Sequence, residues 1–325
     1  MLALEYVLGA IQNVFLPINL FAVFVGTFAG IVIGALPGLS TVMGLSILLP
    51  FTLSFSGMGG MYMLLGVFCG GIYGGSISAS LLNTPGTSAS AATALDGYPM
   101  ANKLGQPGRA LGISTLASLF GGLFSAICLC IFAPMLAKVA LKFSAQEYFA
   151  LAVFGISIVA GLTGKSVIKG VIGGVIGLLL ATIGIDGMGG VSRFTFGSVY
   201  LMGGVSFIPL LIGLFAFSQG LNTIEEMAKG YKAEKNRMKI EHVFPSKSDL
   251  KRIFPTLIRS SIIGTFIGAV PGTGGDIASW IGYNESKRWS KHPEEFGKGC
   301  PDGVVATESA NNAIIGGAMI PLLVL

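Results

Sequence analysis

The sequence predicts an all-α polytopic membrane protein that contains an inverted repeat with broken helices or re-entrant hairpins. Of its 325 residues, 52% are apolar and only 11% are charged, with a mean hydropathy of +0.78. A soluble domain usually has about 25% charged residues. The 49 glycines agree with this reading, because glycine is commoner in membrane helices than in soluble ones. The third observation is that residues 30–38 recur as residues 264–272, with six of the nine positions identical.

Each copy of this stretch is an apolar helix with small residues at every fourth position, followed by a Pro-Gly pair. Small residues at that spacing let a second helix approach closely in lipid. A break at membrane depth frees backbone groups that lipid cannot satisfy, so it survives only within protein or beside a wet cavity. Paired broken helices in corresponding halves of a chain indicate the substrate site of a transporter. The repeat therefore predicts a secondary transporter.

The first part of the chain, taken as residues 1–109, contains the first repeat. Residues 14–55 are long enough for a hairpin with an irregular tip near Pro37-Gly38, and residues 61–82 form a further span. Residues 83–93 are small, rich in hydroxyl groups and free of charge. We predict that residues 96–109 form a plain loop, because Pro99 and Pro107 interrupt a helix.

The middle of the chain, residues 110–220, predicts connecting transmembrane helices, at 110–136, 148–162, 167–185 and 199–220. The polar residues 221–259 predict a cytoplasmic linker with a short solvated helix, since Glu225 and Lys229 are four positions apart. Residues 260–325 contain the second repeat, with its broken helix at 260–283 and a charged loop at 284–302. The second repeat is incomplete, so we expect the protein to continue after Leu325.

The distribution of Lys and Arg predicts the orientation of the chain. Cytoplasmic loops of membrane proteins carry an excess of these residues. With loops 96–109, 163–170, 221–259 and 284–303 in the cytoplasm, that side holds 17 of the 20 Lys and Arg. The broken helix at 260–283 then enters from the cytoplasm, and the hairpin at 14–55 enters from outside. The two copies are therefore predicted to have opposite orientations.

The run at residues 83–93 is the predicted substrate site. Its hydroxyl groups and free backbone N–H groups, followed by residues that favour a helix, suit an anion at a helix N-terminus. Alternatively, its Ser and Thr side chains bond between packed helices. Ser, Asn and a carboxylate near position 310 are costly to bury and indicate a second polar site. The predicted substrate-binding residues are Asn83, Thr84, Pro85, Gly86, Thr87, Ser88, Ser90, Ser309, Asn311 and Asn312.

The Pro-Gly corners and their acidic neighbours are the predicted cation site. Unwound carbonyl groups and the Asp276 carboxylate suit a hard cation such as Na⁺, although Asp276 also suits the N-cap of a helix at 277–283. Glu308 lies in an apolar run and is a functional candidate, unless its side chain extends toward the cytoplasm. The coupling ion is Na⁺ or H⁺. The predicted cation-binding residues are Pro37, Gly38, Ser40, Thr41, Gly272, Thr273, Gly274, Asp276 and Glu308.

Several other functions are disfavoured by the sequence. The four cysteines and two histidines have no zinc-ligand spacing, and neither histidine lies in an apolar span, as an intramembrane protease would need. Gly164-Lys165-Ser166 lacks the leading glycine of a phosphate-binding loop. The basic residues are spread over loops between apolar spans, which does not favour nucleic-acid binding. We therefore predict a protein that is not an enzyme and has no cofactor.

Five motifs resemble the large membrane subunit of tripartite tricarboxylate transporters, the TctA family. They are GALPGLS at 34–40, LLNTPGTSASAATALDGYPMA at 81–101, GQPGRALG at 105–112, GAVPGTGGDIASW at 268–280 and ESANNAIIGGAMIPLL at 308–323. The resemblance implies a multi-pass carrier of the bacterial inner membrane that imports citrate or a related carboxylate, driven by a cation gradient. It also implies a small membrane subunit and a periplasmic solute-binding protein as partners. Other di- or monocarboxylates, an anion channel and a non-transporting scaffold remain alternatives.

Overall fold

The computed structural model describes residues 2–36, 39–55, 57–140, 167–186, 190–206, 217–229, 243–270 and 273–324, with isolated residues between 144 and 213. Helices dominate these ranges, and β1 (Gly184–Ile185) pairs with β2 (Ser192–Arg193) in an antiparallel ribbon. The helices are α1 (Leu2–Val14), α2 (Pro17–Ala35), α3 (Thr41–Thr52), α4 (Gly59–Leu82), α5 (Ala91–Tyr98), α6 (Pro107–Ala140), α7 (Val167–Ala181), α8 (Ser218–Ala228), α9 (Lys247–Gly268), α10 (Gly275–Trp289) and α11 (Pro301–Val324).

The first repeat is built on α2 and α4, which lie side by side and run in the same direction. A Cβ atom added to the glycines of α2 would lie 2.2–2.4 Å from carbonyl oxygens of α4, on three successive turns (Gly26 on Met63, Gly30 on Val67 and Gly34 on Gly71). Only glycine allows backbones to approach this closely, as expected for small residues at a membrane helix interface. Helix α3 returns along α4, and a Cβ on Gly71 would lie 2.9 Å from Thr41.

The second repeat is built in the same way from α9, α10 and α11. A Cβ on Gly264 would lie 2.2 Å from the Ala310 carbonyl oxygen, and one on Gly268 would lie 2.7 Å from that of Ile314. The contacts correspond turn by turn to those of the first repeat: position 30 matches 264 in the first helix, and position 67 matches 310 in the second. The repeated sequence is therefore a repeated helix interface.

The two repeats run in opposite directions. Helix α4 ends beside the chain that leads into α6, because Asn102 Nδ2 donates to the Leu81 carbonyl oxygen over 3.2 Å. The first turn of α6 is tied to the first turn of α9 by Arg109 and Asp249. Since α11 also begins at this end, α4 and α11 are antiparallel. This confirms the predicted inverted repeat.

Two arginines hold the helix ends together at this polar end of the molecule. Arg109 donates to both carboxylate oxygens of Asp249, with distances of 3.1 and 2.5 Å. Burial raises the pKa of Asp249, but the hydrogen bonds from Arg109 and Ser246 outweigh it and leave that pKa below its usual value. Arg252 bonds Asp302 over 2.8 Å and Glu295 over 2.5 Å, and this guanidinium lowers the pKa of Glu295. Parts of three loops that were predicted to be cytoplasmic thus meet at one end.

Three element predictions are wrong. Residues 96–109 are mostly helical, because α5 continues to Tyr98, a wider helical turn covers Pro99–Lys103, and α6 begins at Pro107. Proline is tolerated in the first turn of a helix, where its missing N–H group would have no partner. The predicted linker at 221–259 is also too long, since a Ser246 capping box starts α9 at Lys247. Finally, α10 continues to Trp289, into the predicted charged loop.

Other predicted elements are confirmed or lie outside the described residues. Three described helices are long and apolar enough to cross a membrane: α2, α4 and residues 107–135 of α6. The solvated helix around Glu225 is present as α8, with a 2.5 Å contact between Lys229 Nζ and Glu225 Oε1. Helix α7 ends at Ala181, so the span predicted at 167–185 is shorter than expected. All but three residues of the span predicted at 148–162 fall outside the described residues. The span predicted at 199–220 is wrong at its start, because residues 199–206 form the short helical turn Val199–Leu201 and a loop, and part of its remainder falls outside the described residues.

Candidate substrate and coupling site

The hydroxyl-rich run forms a tip that folds back along α4. Asn83 adopts a left-handed conformation with φ of 54°, which ends α4 and reverses the chain. Gly86 then reaches the level of Gly75, two turns back, where its N–H group lies 3.4 Å from the Gly75 carbonyl oxygen. A Cβ on Gly86 would lie 1.9 Å from the Gly34 carbonyl oxygen, at the end of α2. The tip of α4 therefore lies against the tip of the first hairpin.

The tip leads directly into a helix. Thr87 and Ser90 form a capping box, with their hydroxyl oxygens 2.8 Å apart, around the short helical turn Ser88–Ser90 that continues as α5. These two hydroxyls also approach α4, because a Cβ on Gly75 would lie 2.6 Å from each. Ser88 is exposed at the start of the turn. A helix N-terminus with a free hydroxyl group is thus presented at the tip.

The second tip joins α9 to α10. Helix α9 ends at Gly268, and the Thr273 hydroxyl donates to the carbonyl oxygens of Ile267 and Val270, the latter over 2.8 Å. Gly274 is the N-cap of α10, and the exposed Asp276 lies in the first turn without a capping bond. The alternative prediction that Asp276 is the N-cap is therefore wrong. Both Pro-Gly pairs (Pro37-Gly38 and Pro271-Gly272) lie outside the described residues.

Asn311 lies between the two tips. A Cβ on Gly275 would lie 2.3 Å from Asn311 Oδ1 and 3.1 Å from the Cβ of Ala89, so α10, α11 and the first tip meet at this point. The Asn311 side chain is 1% exposed, and neither its Oδ1 nor its Nδ2 has a hydrogen-bond partner among the residues that the structure describes. An unpaired buried amide costs free energy, about 1–3 kcal/mol for each unsatisfied group. The junction of the two tips therefore has polar groups that are available to a ligand.

Glu308 lies one turn before Asn311 on α11, in a separate polar cluster. Its carboxyl group is completely buried among polar side chains of four helices, including Ser76 of α4. Oε1 lies 2.5 Å from Thr93 Oγ1 on α5, and Oε2 accepts from Ser118 on α6 over 3.1 Å and from Asn312 over 3.4 Å. The alternative that Glu308 extends toward the cytoplasm is therefore wrong. Its helix positions it inside the packed core, close to the tip junction.

A large cavity reaches this cluster from the side of α3 and α4. It has a volume of about 930 Å³ and is lined mainly by apolar side chains of α4, α6 and α11. Ser118 and Asn312 lie in its wall, and these are two of the groups that bind Glu308. The carboxyl group is thus separated from the cavity by only one layer of polar side chains.

The predicted site residues separate into different places in the structure. Asn311 joins the tips, whereas Asn312 belongs to the Glu308 cluster and the Ser309 hydroxyl donates to the Val305 carbonyl oxygen of its own helix. Ser40 caps α3 by accepting from the Met43 N–H group, over 3.2 Å. The prediction missed Ser118 and included Thr93 only as the last residue of the run at 83–93. Ser118 is one of three serines within the apolar run of α6, and these serines were the available signal.

An inverted pair of broken-helix hairpins, with tips that meet at an unpaired buried amide, is the architecture of a membrane transporter. Comparison with protein families confirms this class and narrows it. A family model described as "Tripartite tricarboxylate transporter TctA family" matches residues 20–325. The chain therefore belongs to the TctA family of tripartite tricarboxylate transporters, as the sequence motifs predicted.

Two curated relatives from Agrobacterium vitis are similar to the chain. One, "Uncharacterized 52.8 kDa protein in TAR-I ttuC' 3'region", is 42% identical over 309 residues, which cover 95% of this chain and 61% of the relative. The other, "Uncharacterized protein in TAR-II ttuC' 3'region", is 47% identical over 62 residues, which cover 19% of this chain and 26% of the relative. The chain thus spans less than two thirds of either relative. No solved structure matches it significantly.

Proposed function

We propose that this chain is part of the membrane permease subunit of a cation-coupled secondary transporter, which imports a tricarboxylate or a related carboxylate such as citrate. The subunit lies in the bacterial inner membrane as a multi-pass protein. A periplasmic solute-binding protein delivers the substrate, and a small membrane subunit completes the transporter. Membership of a tripartite transporter family supports these partners. The coupling ion is Na⁺ or H⁺.

The observation that carries the proposal is the unpaired Asn311 amide between the two tips. The amide offers both a donor and an acceptor, and the first residues of α10 and of the turn at Ser88 lie at the same junction. The first N–H groups of a helix have no partner within the helix. Helix N-termini favour anions. A carboxylate bound there would satisfy these donors without contacting a fixed positive charge. Neutral donors suit a carrier, because the substrate must also be released.

The location of the tips supports alternating access. Each tip belongs to one inverted repeat, so a substrate held between them contacts both repeats at once. Rocking of one repeat against the other would then open the site to one side of the membrane at a time. A non-transporting scaffold would not need a buried amide without a partner, because an apolar residue there would be more stable. A channel would show uptake that does not depend on an ion gradient.

The test is to replace Asn311 with Leu, which has a similar size and no polar group. The complete transporter with its two partner subunits is reconstituted in vesicles, and uptake of radiolabelled citrate, succinate and acetate is measured under Na⁺ and pH gradients. We expect uptake of the preferred substrate to fall about tenfold or more, as the loss of one hydrogen bond to a charged group predicts. Thermal stability should be retained or raised.

Ser80→Ala is the matched control, because the Ser80 hydroxyl is also buried without a hydrogen-bond partner in the described part of the chain, but lies beside Gly97 rather than at the tips. Uptake by this variant should remain within about twofold of the unmodified transporter. Unchanged uptake by N311L, or reduced stability with unchanged uptake, would overturn the substrate site. Equal uptake of all three acids without any gradient would favour a channel.

A further inference from the structure

We infer that Glu308 is a proton-carrying residue and that the coupling ion of this transporter is H⁺. The inference rests on the proposed function, which leaves Na⁺ and H⁺ open. It depends on where the hydrogen atoms of the Glu308 cluster can lie. Thr93 is the central residue, because its single hydroxyl hydrogen has two candidate acceptors.

Thr93 Oγ1 lies 2.5 Å from Glu308 Oε1 and 3.0 Å from Thr307 Oγ1. Thr307 Oγ1 in turn lies 2.9 Å from the Val304 carbonyl oxygen and 3.2 Å from that of Gly303. Carbonyl oxygens only accept, so the Thr307 hydrogen points to them. Thr307 can therefore only accept from Thr93. The single Thr93 hydrogen can serve only one of its two acceptors at a time, so both contacts are hydrogen bonds only when Glu308 supplies the hydrogen of the 2.5 Å contact.

The other carboxyl oxygen has the opposite surroundings. Oε2 faces the Ser118 hydroxyl and the Asn312 Nδ2 group, and Asn312 also donates to Ser118 Oγ over 2.9 Å. Both groups can therefore donate to Oε2. A carboxylic acid has one O–H donor and one carbonyl acceptor, and the two sides of the cluster match these two oxygens. A protonated Glu308 satisfies both contacts of Thr93 at once and still leaves Oε2 as an acceptor.

The same surroundings are unsuited to sodium. A hard cation needs several oxygen ligands with free lone pairs, whereas the Asn312 Nδ2 group points its hydrogens at Glu308. The described side chains that bond the carboxyl group are hydroxyl groups and an amide NH₂ group, and each of them can donate a hydrogen to the carboxyl group.

Other titratable groups near this core have partners of their own. Tyr73 on α4 lies close enough to Glu308 for an electrostatic interaction, and its hydroxyl group forms a hydrogen bond with the Thr115 hydroxyl over 2.7 Å. Charged groups on the surrounding helices have partners of their own or lie at the surface. They include Asp96 on α5, bonded to Tyr283; Arg109 on α6, paired with Asp249; Asp276 on α10, which is exposed; and Asp302 on α11, paired with Arg252.

Proton exchange has a route and a connection to the substrate site. For deprotonation, the carboxyl group turns so that its protonated oxygen faces Ser118 and Asn312, and a water molecule in the cavity accepts the proton. The Thr93 hydroxyl then turns to donate to the carboxylate. Thr93 lies one turn after Ser90 of the first tip, and Glu308 lies one turn before Asn311. Loading and release of the proton therefore act on both sides of the tip junction.

The experiment combines infrared spectroscopy with transport by the complete transporter. In purified protein at neutral pH, we expect a C=O stretching band of a protonated carboxylic acid that is absent from Glu308→Gln. In vesicles, an inward pH gradient without Na⁺ should drive citrate accumulation. The Glu308→Gln variant should accumulate at least tenfold less, and any citrate exchange that remains should no longer depend on pH.

The control variants test whether the effects depend on the buried carboxyl group of Glu308 and on its Thr93 partner. Glu225→Gln removes an exposed carboxylate on α8 and should keep both the band and the pH-driven accumulation. Thr93→Val should shift the infrared band and reduce accumulation, and Thr93→Ser should restore both. These effects would not follow if Thr93 only packed between helices.

Two results would overturn the inference. One is an infrared band that persists in Glu308→Gln or is missing from the unmodified protein. The other is accumulation driven by Na⁺ alone and unaffected by the substitution. If the unmodified transporter moves no carboxylate under any gradient, the proposed function fails, and the infrared measurement still decides whether Glu308 holds a proton.

Discussion

Asp96 and Glu308 are both completely buried carboxyl groups, yet their surroundings differ in kind. Asp96 Oδ1 accepts from the backbone N–H groups of Gly297, Gly299 and Cys300, at 2.9, 2.9 and 2.7 Å. Its Oδ2 accepts from the Tyr283 hydroxyl over 2.9 Å. Three of its four donors are thus backbone groups, whose direction is set by the fold.

Glu308 is held by side chains instead, and two of its partners, Thr93 and Ser118, are hydroxyl groups that can donate or accept. Hydroxyl groups rotate, so this cluster can accommodate the carboxyl group with or without its proton. Three of the four partners of Asp96 are backbone N–H groups that can only donate, which suits a carboxylate in one state. The comparison teaches that burial alone does not identify a functional carboxyl group. The ability of its partners to change role does.

The largest effect should come from removing the fixed carboxylate. Asp96→Ala leaves three backbone N–H groups and the Tyr283 hydroxyl without their acceptor, and each orphaned buried donor costs about 1–3 kcal/mol. We expect severe loss of thermal stability or of folded protein in the membrane. Glu308→Gln, which keeps a donor and an acceptor, should unfold close to the unmodified protein. Equal melting temperatures for both variants would break the comparison.

A smaller effect should follow from crowding Asp96 without removing it. A Cβ on Gly303, in the first turns of α11, would lie 2.0 Å from Asp96 Oδ2. Since three backbone bonds hold the carboxylate, Gly303→Ala should destabilise the protein by about 1–3 kcal/mol. Gly122→Ala is the control, because nothing lies within 4 Å of its added Cβ. A similar melting temperature for the two variants would mean that Asp96 can move.

The smallest effect concerns Asp249, a partly buried carboxylate held by both a guanidinium and a capping box. Its lowered pKa means that the folded protein binds its proton less readily than the unfolded chain. Its contribution is present above the ordinary Asp pKa, near 4, and is lost as the pH falls through the folded value. Asp249→Asn should therefore cost about 1 kcal/mol at pH 7.

The difference between Asp249→Asn and the unmodified protein should shrink in thermal melts below about pH 4. Lys229→Ala, which breaks the exposed pair on α8, should show no measurable difference at either pH. A constant difference across the pH range would show that Asp249 acts through packing rather than through its charge.

Much of the architecture could be predicted from the sequence, because the repeat and its glycine spacing specify which helices approach closely. Gly30 and Gly264 make equivalent contacts with α4 and α11, as their shared pattern predicted. Asn311 and the run at 83–90 were also identified from polarity within apolar surroundings. The prediction of a loop at 96–109 is wrong because a proline in the first turn does not break a helix, and Pro107 begins α6.

Only the tertiary structure determined which polar residues lie at the tips and which ones surround Glu308. Asn311 and Asn312 are neighbours in the sequence, but about 100° of helix rotation directs one to the tips and the other to Glu308. Thr93 and Glu308 are 215 positions apart and meet only because α5 packs on α11. Composition and repeats determined that the chain is a membrane protein with an inverted repeat, since these patterns act locally along each helix. Which buried groups are paired, and which are left for a ligand, depends on contacts between helices that no local pattern specifies.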